Sequence, residues 1–101
     1  MILGEREKGT ARLEEAITAL HEALKERTRE DTPFLWAQTQ EKLALAHFAF
    51  FDKTSDPTHY DAALIAIGGA LEEYGKSKAG FHIAKATRLR EKILAARDRK
   101  V

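Results

Sequence analysis

The chain has 101 residues, 44% of them hydrophobic, which suits one packed domain and is too apolar for a disordered chain. Seventeen Lys and Arg against sixteen Asp and Glu give a formal charge of +1, so overall charge makes no case for nucleic acid or a membrane surface. Cysteine is absent, which excludes disulfides, thiolate zinc sites and a cysteine nucleophile; no apolar run reaches the roughly 18 residues of a spanning helix, and Met1-Ile-Leu-Gly-Glu-Arg is too polar for a signal peptide.

Ala, Leu, Glu, Lys and Arg dominate, and strand-like alternation is absent, so the expected class is all-α. The first predicted helix covers about residues 10–30. Leu13, Ala16, Ile17, Leu20, Ala23 and Leu24 form one apolar stripe at three- and four-residue steps. Thr10 is its candidate N-cap, with a start near Arg6 as the alternative. Thr32-Pro33 signals a second helix over about 33–51, a capping hydroxyl followed by proline at the first helical position. From Leu43 to Phe51 every residue but His47 is apolar, which marks this helix as the central one. A polar loop over 52–57 leads to a third helix over about 57–74. Asp56 or Thr58 caps it, Tyr60, Ala63, Leu64, Ile67, Ala70 and Leu71 form its stripe, and Gly75 stops it. The fourth helix covers about 77–99, with Ser77 as cap and a thinner stripe of Ile83, Ala86, Leu89, Ile93 and Ala96.

The third helix repeats the first at a shift of 47. Ala16, Ala19, Ala23, Leu24 and Glu26 meet Ala63, Ala66, Ala70, Leu71 and Glu73, and Leu13, Ile17 and Leu20 meet Tyr60, Leu64 and Ile67. Helices two and four match less well, Leu43 on Leu89 and His47 on Ile93. The unit is therefore a pair of antiparallel helices used twice. The small side chains of Ala16, Ala23, Ala63 and Ala70 let neighbouring axes approach closely.

Leu-Gly-Glu-Arg-Glu-Lys-Gly-Thr-Ala-Arg-Leu-Glu-Glu-Ala (3–16), Ala-Leu-Lys-Glu-Arg-Thr-Arg-Glu (23–30) and Trp36-Ala-Gln-Thr-Gln with Leu43 resemble tetratricopeptide-type helical repeats of a long-loop bacterial variety. The resemblance implies one domain over 1–101, its four helices forming antiparallel hairpins stacked as a short right-handed superhelix. The spacing of 47 exceeds the usual repeat of about 34, and the extra residues fall in the Gly4–Thr10 and Asp52–Thr58 connections. Ala44 stands where such repeats carry glycine, and Leu3-Gly4 reads as the end of an upstream helix. On that reading the chain is a piece of a longer array, or the open side is an interface. The resemblance also implies a peptide-binding groove lined by the first helix of each pair. On this chain it would include Gln38, Glu41, Leu45 and Phe48.

Charge is distributed unevenly. Residues 76–101 hold nine bases and two acids, a net +7, whereas residues 1–75 hold eight bases and fourteen acids, a net −6. Lys85, Arg88 and Lys92 share one face of the last helix. That face is a solvated polar surface or a docking surface for something acidic, a second copy of the chain included.

Catalytic constellations are missing. His21-Glu22 opens like a helical zinc-protease motif, but Lys25 stands where the second histidine belongs, and His47, His59 and His82 show no ligand spacing. His47 is expected on the core stripe, bonded to a carbonyl or water. Ser55 and Ser77 lack a nucleophile elbow. Gly68-Gly69 forms no phosphate loop, and sits beneath helix four or beneath a partner. Trp36 reads as a packing residue and not a ligand stack. The expectation is a non-enzymatic, cytoplasmic interaction or scaffolding module without cofactor or metal. Its partner is a protein or peptide bound through Gln38, Glu41, Leu45, Phe48, Lys85, Arg88 and Lys92. A self-assembling unit, such as a dimer, is the alternative. Nucleic-acid binding through the basic last helix is less favoured, since Phe81 is the only aromatic interleaved with its bases, and membrane binding is not expected.

Overall fold

The computed structural model describes residues 2–100, with side chains described from 10 to 98. Four helices follow one another: α1 (Ile2–Glu26), α2 (Pro33–Thr54), α3 (Pro57–Lys76) and α4 (Gly80–Lys100), with no strand among the described residues. Consecutive helices pack together, and α2 also touches α4, so α2 contacts all three others. The all-α class and the central second helix therefore stand.

The connections differ from the sequence reading. Residues 4–10 are not a loop: they belong to α1, which runs unbroken from Ile2, so Leu3-Gly4 is not the end of a separate helix and Thr10 is not a cap. Gly4 and Gly9 each cost about 1 kcal/mol against alanine, but the Glu, Arg and Lys between them are good helix formers. α1 ends at Glu26, short of 30. Beyond it Thr28 organises a separate turn. Its hydroxyl accepts the Asp31 N–H at 3.1 Å, and its carbonyl accepts the Thr32 N–H at 2.9 Å and the Thr32 hydroxyl at 3.2 Å. With its hydroxyl turned backward, Thr32 gives α2 no side-chain cap; Pro33 at the first position starts the helix without one.

The second connection is only Ser55–Asp56, because α2 continues to Thr54. Ser55 takes the left-handed conformation (φ 60°) and its N–H reaches the Phe51 carbonyl at 2.7 Å. Asp56 then caps α3, its carboxylate accepting the Thr58 N–H at 3.0 Å, and this bond holds the Asp56 carboxyl below its ordinary range. The 47-residue spacing thus reflects long helices and not long loops.

Gly75 does not stop α3, and Ser77 does not start α4. Ser77 closes α3, and Lys78 adopts the left-handed turn (φ 53°). The Ala79 N–H reaches the Tyr74 carbonyl at 3.1 Å and the Lys78 N–H reaches that of Gly75 at 3.2 Å. This is the paired bonding that ends many helices, with lysine in the place glycine usually takes.

The core lies around α3. Ala63, Ile67, Ala70 and Tyr74 pack with Ala37, Leu43, Ala44 and Phe51 of α2 and with Ala86, Leu89, Ile93 and Ala96 of α4. α1 is different. Among the described residues it packs on α2 alone, through the partly buried Ile17, Leu20 and Leu24, and no residue of it from Thr10 onward is fully buried. Ala63 and Ala70 are buried as expected, but their counterparts Ala16 and Ala23 are exposed and half-buried. The repeat in sequence is not a repeat in burial, because α3 is covered by α2 and α4 whereas α1 is covered on one side.

Gly69 lies against Trp36 of α2 and not beneath helix four. A Cβ there would meet the Trp36 ring edge at 2.9 Å, so α3 gives up a side chain to seat the indole of α2. Gly68 has open space above it. The Arg29 guanidinium lies over the Trp36 ring, 4.6 Å from its centroid. Arg29 also donates to Glu73 and to Glu72, each at 2.7 Å, tying the α1–α2 connection to the end of α3. These bonds hold the Glu73 carboxyl below its ordinary range and raise the guanidinium.

Candidate interaction groove between α2 and α4

α2 and α4 meet only lightly, and a recess of about 210 Å³ opens between them. Glu41 and Leu45 line it from α2; Lys85, Arg88, Leu89 and Lys92 line it from α4. The spacings explain this. Glu41 and Leu45 are one turn apart, and Lys85, Arg88 and Lys92 fall at i, i+3 and i+7, so each set shares one helix face. Five of the seven residues singled out in the sequence therefore converge. Gln38 and Phe48 do not line the recess: Gln38 is half-buried one turn before Glu41, and Phe48 packs against the core.

Leu45 remains 48% exposed, so α4 does not cover it. Leu89 forms an apolar floor and is buried. Glu41 is buried at the rim, with Oε1 accepting the Tyr74 hydroxyl at 2.7 Å and Oε2 facing Lys85 Nζ at 3.5 Å. Burial, then the bond to Glu41, pushes the Tyr74 phenol far up, so it remains a donor at any ordinary pH. The one acidic group of the groove is thus engaged from within. Arg88 and Lys92 are exposed and have no ion-pair partner among the described residues. Tyr74 escaped the sequence reading. Its place one turn beyond Ala70 and Leu71 continues the α3 stripe, and a buried phenol needs an acceptor.

A second polar cluster joins α2 to α3. His47 Nδ1 lies 3.0 Å from His59 Nδ1, so one ring donates and the other accepts. The partner of His47 is therefore a histidine, not the carbonyl or water expected. His59 stacks on Phe50 with centroids 3.9 Å apart. His21, Gln40, Leu43 and His47 line a recess beside this pair. No group of three or more His, Cys, Asp or Glu among the described residues could hold a metal ion.

Burial, then the charges of His59 and His21, pulls the His47 imidazole below its ordinary value of 6.5. Between the folded and unfolded values the unfolded chain binds more protons, so stability rises with pH there. The contribution of His47 is complete above 6.5 and is lost as pH falls through the folded value. Thermal melts from pH 7.5 to 5 should show a falling midpoint in the wild type and a shallower fall in His47→Gln. Parallel slopes in the two proteins would remove His47 as the cause.

No protein-family model, curated protein or solved structure matches the chain. No helix among the described residues is long and apolar enough to cross a membrane.

Proposed function

We propose that the chain is a non-enzymatic protein–protein interaction module whose α2–α4 groove takes an acidic peptide segment bearing an apolar side chain. The observation carrying this reading is the pairing of a half-exposed leucine with cations that have no ion-pair partner among the described residues. Leu45 and Leu89 offer an apolar seat, and Arg88 and Lys92 stand beside it. An apolar residue of the ligand would cover Leu45 while its carboxylates meet Arg88, whose planar fork suits bidentate pairing, and Lys92. Glu41 accepts from Tyr74 and faces Lys85, so its charge is engaged within the chain. The resemblance to tetratricopeptide-type repeats supports the same surface by analogy, since those repeats bind along the first helix of each pair.

Fluorescence anisotropy with a labelled peptide, Asp-Glu-Leu-Glu-Asp, tests this. Binding should weaken with salt, since rim charges are screened. Leu45→Asp and Arg88→Glu should each weaken it by about tenfold, or about 1.4 kcal/mol. Affinity unchanged by both variants would sink the reading, as would tighter binding of a random single-stranded oligonucleotide.

A further inference from the structure

We propose that the occupant of the α2–α4 groove is helix α1 of a second copy of this chain, giving head-to-tail assembly. This rests on reading that groove as an interaction surface, and it names the partner.

Three observations converge. The first is charge: residues 76–101 carry +7 and residues 1–75 carry −6, so the end that holds the groove is attracted to the rest of another copy. The second is cover. Among the described residues α1 packs on α2 alone, and its outer face, with Ala11, Glu14, Glu15, Thr18 and Ala19, forms a shallow exposed depression. Neither Glu14 nor Glu15 has an ion-pair partner among the described residues. The third is register. Glu15, Ala19 and Glu22 fall at i, i+4 and i+7, and Lys85 and Lys92 are likewise seven residues apart. Seven helical residues span about 10.5 Å on each side, so both carboxylates can face both ammonium groups at once. Ala19 between the carboxylates is small and exposed, which lets the helix approach and cover Leu45. Glu22 already touches Lys25 at 3.0 Å, but this pair is largely solvated and yields readily.

Within one chain α1 and α4 do not touch among the described residues, so the two surfaces cannot satisfy each other internally. They are also different surfaces. Each copy presents one donor helix and one acceptor groove, so the head-to-tail contact propagates; two copies exchanging helices reciprocally would instead stop at a dimer in sedimentation.

Sedimentation velocity on the whole chain, at about 20 mM and about 500 mM salt, provides the test. The wild type should grow in mass with concentration at low salt and return to monomer at high salt. Glu15→Gln/Glu22→Gln removes the donor and Lys85→Gln/Lys92→Gln the acceptor. Each should associate about tenfold more weakly than wild type and keep its circular dichroism. Mixed in equal amounts, the two should form a one-to-one dimer that grows no further, because only one complementary contact survives. A wild type that stays monomeric at high concentration and low salt overturns the proposal, as does assembly unaffected by either variant. If that monomer still binds Asp-Glu-Leu-Glu-Asp, the groove reading stands and the self-partner fails; if it binds neither, both fail.

Discussion

Replacing Ile67 by alanine is expected to lower the unfolding free energy by about 2–5 kcal/mol, whereas Ile65→Ala should change it by no more than about 0.5 kcal/mol. Both residues lie on α3, two positions and about 200° of helical turn apart. Ile67 has no exposed surface; Ile65 is 77% exposed. α3 is held between α2 and α4, so the space left by the missing atoms of Ile67 has rigid walls on both sides and cannot close. A domain of this size has about 5–15 kcal/mol in total, so the loss takes a large share of it. Urea unfolding would report it as a lower midpoint at constant slope. Equal effects at the two positions would mean that α3 presents a different face to the core.

Tyr74→Phe should cost about 1–3 kcal/mol although it leaves the ring in place. The loss is electrostatic. Tyr74 is fully buried, and its hydroxyl is the 2.7 Å donor to Glu41, itself buried at the groove rim. Without it, Oε1 of Glu41 has no donor. Lys85, 3.5 Å from Oε2 and with 61% of its side chain exposed, is weak compensation. Removing both polar partners, as in Tyr74→Phe/Glu41→Leu, should recover much of the loss, since no orphaned acceptor remains. Urea unfolding of the single and double variants closes the cycle. Additive losses would show that the hydroxyl and the carboxylate do not depend on each other.

Features written into single helices were legible in the sequence. Pro33 marked the start of α2 and Asp56-Pro57 that of α3; the continuous apolar run of Leu43 to Phe51 marked the central helix. The two walls of the groove were legible separately: Lys85, Arg88 and Lys92 share a face of α4 by spacing, and the resemblance to tetratricopeptide-type repeats pointed to Glu41 and Leu45 on α2; that the two walls meet was not legible. What depended on neighbours was not. Ala16 and Ala63 are equivalent in sequence yet differ in burial, because one helix has one neighbour and the other has two. The indole above Gly69 and the contact between His47 and His59 join residues from different helices, which no local pattern encodes. Lys78 takes the left-handed turn that Gly75 announces in the sequence, three residues later.

A helix fastened along only one side occupies the lowest rung of any opening hierarchy. α1 should therefore lose amide-exchange protection before the other three helices, while the Arg29 bridge to Glu72 and Glu73 ties the connection that follows it to α3.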